Sequence, residues 1–202
     1  MSNQQILSFD SNTMSCPALF LDRDGVINNN HGYVHKLENF DFIDGIFDIA
    51  QHAHELGYKL VVITNQAGIR RGYYSEANFH LLTQWMCQQF IQAGAPISQV
   101  YFSPFHPSAG LGKYLKDDFS RKPNLGMIFR AREELDLDLS GSILIGDKPS
   151  DIQAGIASGI GRNLLFAADG PMEVERVSYQ KIASLRDALP NLARLSDARG
   201  VQ

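Results

Sequence analysis

Short apolar runs bounded by turn residues recur along the chain, with stretches of helical periodicity between them. Five runs predict strands: Ala18 to Asp22, Leu60 to Thr64, Gln99 to Ser103, Ser142 to Gly146 and Asn163 to Ala167. Each is too continuously apolar to leave one face in water, so all five read as central strands of a parallel sheet covered by helices. Apolar residues at helical spacing predict helices over Gly45 to Glu55, Glu76 to Gln92, Gly126 to Leu135 and Ser150 to Ser158, with Ser75 and Ser150 as N-caps. The weaker ending, Ser178 to Leu185 and then Leu185 to Leu195, fits a last strand and helix. Strands alternating with helices define an α/β fold, a Rossmann-like three-layer sandwich around a parallel sheet. Phe40, Phe42, Phe79, Trp85 and Phe90 fall at core and helix-face positions and read as packing. The stretch Pro104 to Ser120, broken by prolines and glycines, reads as a long surface loop.

Composition narrows the class. With 202 residues, 44% hydrophobic and 20% charged, the chain is expected to form one domain, its core spanning about 17–190 and its ends, 1–15 and 196–202, flexible. Collagen-like, coiled-coil and disordered readings are excluded. The net charge of -4 is opposite to the basic footprint of nucleic-acid and anionic-membrane binders. No stretch approaches the roughly 20 apolar residues of a membrane span, and the polar start carries no leader pattern, so a cytoplasmic protein is expected. Two cysteines, Cys16 and Cys87, make neither a disulfide framework nor a cysteine-rich metal site, and both read as buried free thiols.

The polar residues gather at one end of the strands: Asp22 and Asp24 after the first, Thr64, Asn65 and Gln66 after the second, Asp147, Lys148 and Asp151 after the fourth. In open parallel sheets, ligands bind beyond the carboxyl ends of the strands. Two carboxylate clusters at such ends repel unless a cation lies between them, and a set of hard oxygen donors suits Mg²⁺. In ITNQAGIRRG a hydroxyl and an amide precede Gly68 and Gly72, glycines that let backbone N–H groups approach an oxyanion. In SRKPNLG, Arg121 and Lys122 stand just before a helix start, a setting that favours phosphate. Phosphoryl transfer needs a nucleophile, a metal, a cation for the transferring charge and an acid for the leaving oxygen; every role has an occupant.

The motifs FLDRDGVIN, HGYVH, FIDG, VVITNQAGIRRGYYS, SRKPNLGM and IGDKPSDIQAG, between about Ala18 and Gly161, resemble those of the haloacid dehalogenase superfamily of phosphatases. Its heptose-bisphosphate and histidinol-phosphate branch is the most similar. The resemblance implies a capless haloacid dehalogenase fold and an Mg²⁺-dependent phosphomonoesterase working through an aspartyl phosphate. It implies Asp22 as nucleophile, Asp24 as general acid and base, and Thr64 and Lys122 as stabilisers of the phosphoryl group. Asp22, the main-chain carbonyl of Asp24, and Asp147 would hold the metal. Asn30, His31, Gly32, Tyr33, Asn65, Gln66, Arg121 and Lys148 would bind substrate. The implied reaction removes the 7-phosphate of a heptose 1,7-bisphosphate, with Arg70, Arg71 and Lys148 as candidate cations for a remote phosphate. A histidinol phosphatase, another small sugar-phosphate phosphatase, a polynucleotide 3′-phosphatase and a catalytically silent scaffold are the alternatives. The expected partner is a small phosphorylated sugar, with no nucleic acid or membrane, for a monomer or weak homo-oligomer.

One departure from that branch is informative. Its members usually carry a zinc loop, Cys-x-His followed by Cys-x-Cys, where this chain has Ser103, Phe105, Asp118 and Ser120. No zinc is therefore expected, and His31 and His35 are not counted as ligands. The loop is expected either to be held by packing of Phe102, Phe105, Leu111, Tyr114 and Leu115 or to be mobile.

Overall fold

The computed structural model of the chain describes residues 15–108, 114–166 and 179–193. Apart from Ser15, the ends expected to be flexible lie outside these residues, as do Leu111, Ala167, Ser178 and Leu195. Six parallel strands form the centre: β1 (Cys16–Leu21), β2 (Lys59–Asn65), β3 (Ile97–Ser103), β4 (Leu137–Gly146), β5 (Arg162–Phe166) and β6 (Gln180–Ile182). Their spatial order is β3-β2-β1-β4-β5-β6.

Alternation along β1 divides the core between two faces. Leu19 and Leu21 pack with α1 (Ile46–Glu55) and α3 (Glu76–Gln92), while Ala18 and Phe20 pack with α4 (Gly126–Leu135) and α5 (Pro149–Ala157). The Phe40, Phe42, Phe47, Trp85 and Phe90 rings interlock on the first face at centroid separations of 4.8 to 6.2 Å. A short α2 (Ala67–Arg70) follows β2 where only a glycine turn was expected. Gly68 within it makes room for Tyr74, since a Cβ there would lie 2.2 Å from the Tyr74 ring.

Several expectations need correction. Gln99 to Ser103 belongs to β3, a sheet edge and not a central strand, and residues 98 and 99 are exposed. β4 starts five residues before Ser142, because Cys16 and Pro17 pair with Leu137 and Asp138 before the register shifts. Ser75 caps α3, its hydroxyl accepting from the Asn78 N–H at 3.1 Å, but Ser150 does not cap α5. That helix starts at Pro149, and the Asp151 carboxylate accepts from the Lys148 N–H at 3.0 Å. The last helix is a 3-10 helix over Leu185–Asn191 with Pro190 inside it. Both cysteines are free but only half-buried. No helix among the described residues is long and apolar enough to cross a membrane.

Candidate active site

β2 and β4 flank β1 on opposite sides, so the carboxyl ends of three strands converge where the chain reverses its direction of travel through the sheet. β1 delivers Asp22, β2 delivers Thr64, and β4 delivers Asp147; all three follow buried runs that fix the direction of the backbone. A cavity of about 220 Å³ opens there, lined by residues that include Asp22, Asp24, Thr64, Lys122, Lys148 and Asp151.

Lys122 is the electrostatic centre. Its ammonium donates to Asp22 Oδ1 at 2.9 Å and to the Ile63 carbonyl at 2.7 Å, and lies 2.7 Å from Asp151 Oδ1. Only 3% of the residue is exposed. Burial opposes its charge, but Asp151 and Asp22 outweigh burial and hold the lysine firmly protonated. Asp22 in turn lies below the usual carboxylate range: burial is opposed by Lys122 and Lys148, whose Nζ is 3.9 Å from Asp22 Oδ2. Burial, followed by the charge of Asp22, pushes the Asp147 carboxyl up to about 7. Burial also raises Asp151, against the pull of Lys122.

Asn65 fixes the Lys122 peptide from both sides: its amide oxygen accepts from the Lys122 N–H at 3.1 Å and its amide nitrogen donates to the Lys122 carbonyl at 3.0 Å. Asp24 is gripped just as fully. Arg23, 1% exposed, donates Nη2 to both carboxylate oxygens at 2.9 and 2.8 Å, and Asn28 donates to Oδ1 at 3.1 Å. Gln66 donates Nε2 to Asp24 Oδ2 at 3.0 Å and to Thr64 Oγ1 at 2.8 Å, while its amide oxygen accepts from the Tyr74 hydroxyl.

Asp22, Asp147 and Asp151 offer carboxylate oxygens that all lie within 4.8 Å of one another. Two buried acids and a half-buried one whose carboxyl is raised to about 7 leave negative charge that a hard cation would relieve, so the donors fit Mg²⁺. Gly25 (φ +100°) makes this approach possible, because a Cβ there would sit 2.2 Å from Asp147 Oδ2. The zinc donors of the related branch are a different matter. Ser103, Phe105, Asp118 and Ser120 present two hydroxyls, a phenyl ring and a carboxylate, which do not make a zinc set.

Of the expected substrate residues, Asn30, Gly32, Tyr33, Asn65, Gln66 and Lys148 line the cavity. His31 and Arg121 do not: the His31 ring is 2.9 Å from Asp41 at the surface, and Arg121 donates to the Phe105 carbonyl at 2.9 Å. The sequence places Asp151 with Asp147 in the second acidic cluster but gives it no individual role; its contact with Lys122 is what the structure adds. Arg23 and Tyr74 are not singled out by the sequence at all, and Ser150, which lines the cavity, reads there only as an N-cap.

The family model described as polynucleotide kinase 3 phosphatase matches residues 19–160. The chain is 51% identical over 175 residues to a D-glycero-alpha-D-manno-heptose-1,7-bisphosphate 7-phosphatase of Burkholderia mallei, covering 87% of this chain and 93% of that one. It is 40% identical over 175 residues to a D-glycero-beta-D-manno-heptose-1,7-bisphosphate 7-phosphatase of Escherichia coli, covering 86% and 92%. Among solved structures, a HAD-like phosphatase from Mesorhizobium loti superposes with a TM-score of 0.79 at 32% identity, over 88% of this chain and 84% of that one. The D,D-heptose 1,7-bisphosphate phosphatase from B. bronchiseptica, complexed with magnesium and phosphate, shares the fold at a TM-score of 0.72 and 22% identity, over 87% and 97%. With an acid pair just beyond β1, a buried lysine and a third acid just beyond β4 set in this fold, the chain belongs to the haloacid dehalogenase phosphatases, in the family that the polynucleotide kinase 3 phosphatase model describes.

Proposed function

We propose that this phosphatase removes the 7-phosphate of a D-glycero-D-manno-heptose 1,7-bisphosphate through an aspartyl phosphate on Asp22. The observation that carries the chemistry is the Lys122 ammonium bonded to Asp22 at 2.9 Å at the floor of the cavity. The naming of relatives that align over nearly the whole chain supports the substrate.

In this reading an Asp22 carboxylate oxygen attacks phosphorus while the bond from phosphorus to the sugar oxygen breaks. Asp22 is fit for attack because Lys122 and Lys148 keep it ionised despite burial. Asp24 gives its proton to the departing sugar oxygen, then takes one from the water that attacks the aspartyl phosphate, releasing inorganic phosphate and restoring Asp22. Thr64 and Lys122 face the transferring oxygens, and Asn65 keeps Lys122 in register. Asp22, Asp147 and the Asp24 carbonyl would hold Mg²⁺, with Asp151 beside them. When bound, the ion supplies neutralisation of phosphoryl charge. A cavity of about 220 Å³ admits a phosphoryl group and adjacent carbons, with the rest of the sugar at the Asn30 to Tyr33 rim. The same reading places a monomer or weak homo-oligomer in the cytoplasm, acting as one domain on a small molecule, without nucleic-acid or membrane partners. The net charge of -4 supports the exclusion of polyanions.

Two measurements test it. Asp22→Asn removes the nucleophile at nearly constant shape, so turnover is lost while the far-ultraviolet circular dichroism is kept; retained turnover overturns the mechanism. The kcat/KM values for the α and β heptose bisphosphates, histidinol phosphate and a 3′-phosphorylated oligonucleotide are compared side by side. A tenfold preference, about 1.4 kcal/mol, for either non-heptose substrate overturns the substrate assignment.

A further inference from the structure

We infer that a metal-free clasp centred on Asp118 closes the segment leading to Lys122 and positions that lysine for phosphoryl transfer, an inference that rests on the phosphatase reading above. Asp118 Oδ1 accepts from the Ser120 N–H at 2.9 Å and the Ser120 hydroxyl at 2.6 Å, and Asp118 Oδ2 is 2.6 Å from Lys116 Nζ. The Ser120 hydroxyl also lies 3.0 Å from Ser103 Oγ, at the buried end of β3. By the resemblance to the heptose-bisphosphate branch, Ser103, Asp118 and Ser120 fall where zinc thiolates are usual, and here Ser120 bonds to both of the other two.

Other described residues around Asp118 are tied together by cations. Lys116 Nζ stands 4.3 Å from the centre of the Phe105 ring, Arg121 donates to the Phe105 carbonyl, and Arg70 donates to the His106 carbonyl. The Arg121 N–H and the Asn124 side chain both donate to the Asp118 carbonyl, at 2.9 and 3.1 Å. The packing expected of the loop contributes in part: Phe102 packs at a tilt on Phe79 and Phe105 meets Tyr114, whereas Leu115 is exposed. Among the described residues, the one group of acids, histidines and cysteines able to hold an ion is Asp22, Asp147 and Asp151. His106, the imidazole nearest the clasp in sequence, already accepts from the Ser108 N–H at 3.3 Å.

The link to chemistry is short. Lys122 follows Ser120 by two residues, and Asn65 fixes the Lys122 peptide from β2. The clasp therefore fixes the approach to Lys122 from β3 as Asn65 fixes it from β2. Asp118 touches no reacting atom; it is a positioning residue.

The test uses the purified full chain with excess Mg²⁺ and p-nitrophenyl phosphate. A zinc-selective chelator should leave the parent Tm and kcat unchanged; a fall in either shows a metal closure and overturns the inference. Asp118→Ala, assayed well below its Tm with its folded fraction checked by circular dichroism, should lose about tenfold in kcat with KM changed less than about twofold. Asp118→Asn keeps an acceptor for Ser120 and should recover most of that loss, a rescue that a bulk stability effect would not produce. A folded Asp118→Ala with parental kcat overturns the inference. If Asp118→Ala does not fold, Ser120→Ala decides: a drop in kcat of about threefold or more at constant KM supports the clasp, and no drop overturns it. Absence of parental turnover overturns the phosphatase reading instead, and the chelator's effect on Tm still decides whether the closure is metal-free.

Discussion

Asp151 holds the Lys122 ammonium from α5 as closely as Asp22 holds it from β1, at 2.7 and 2.9 Å. The lysine thus sits between the proposed nucleophile and an acid to which that proposal gives no bond-making part. Removing one partner of a buried ion pair leaves an uncompensated charge and costs about 3–5 kcal/mol. Asp151→Ala should therefore lower the Tm and reduce kcat at least tenfold, as Lys122 leans toward the nucleophile. Thermal melts with steady-state kinetics check it; parental values for both would show that Asp22 alone fixes the lysine.

Gln66 joins Thr64 and Asp24 through one amide nitrogen, and Tyr74 fixes the orientation of that amide. Gln66→Leu leaves a buried Tyr74 hydroxyl without its acceptor, at a cost of about 1–3 kcal/mol. It also frees the Asp24 carboxylate on one side. The expected outcome is a lower Tm and a kcat reduced more than KM is raised. Gln66→Glu, which sets a second carboxylate against Asp24, should be worse than Gln66→Leu. The reverse order would indicate that Gln66 contacts substrate and not Asp24.

Chelation of divalent ions should abolish turnover, and Mg²⁺ alone should restore it. Because Asp22, Asp147 and Asp151 repel one another without a cation, Mg²⁺ should also raise the Tm, in line with about 2.7 kcal/mol at a ligand concentration of 100 Kd. Melts across an Mg²⁺ titration give the value, and Asp147→Asn should shift the titration to higher Mg²⁺. A Tm indifferent to Mg²⁺ would count against the site.

The Asp118 carboxyl responds to pH in a definite direction. Burial opposes its charge, but Lys116 and the hydroxyl and amide of Ser120 outweigh burial and hold it below its ordinary value. A depressed carboxyl stabilises the fold fully above the unfolded pKa, roughly 3.9, and that stabilisation fades as pH falls through the folded value. The gap in Tm between the parent and Asp118→Ala should hold from pH 7 to pH 5 and shrink below about pH 4. A gap that widens on acidification would contradict the ion pair with Lys116.

Much of this was legible in the sequence because it is written locally. The runs around Phe20, Val62 and Leu144 are apolar without interruption, as strands covered on both faces must be, and the polar residues at their ends include Asp22, Thr64 and Lys148, which line the cavity. What escaped depends on pairing between distant segments. The early start of β4 is hidden behind the polar alternation of Asp138 and Ser140, and only its pairing with Cys16 and Pro17 makes it a strand. The edge position of β3 is a matter of strand order, which periodicity does not encode. The role of Asp151 needed the 2.7 Å approach of a lysine from another segment, and the Ser103 to Ser120 contact joins residues on either side of a loop.

The placement of β1 between β2 and β4 also governs when the enzyme comes into being. Leu19 pairs with Ile143 and Leu21 with Ile145, so the central hydrogen-bonded ladder joins the start of the chain to its last third. Such distant contacts close a long loop before they return any stabilisation, which slows folding. A ribosome that has released only the first two strands has made Asp22, the proposed nucleophile, and Thr64 but neither Lys122 nor Asp147. The site is thus complete only once β4 has been made, and a product truncated before Lys122 carries the acid pair without the lysine that bonds Asp22.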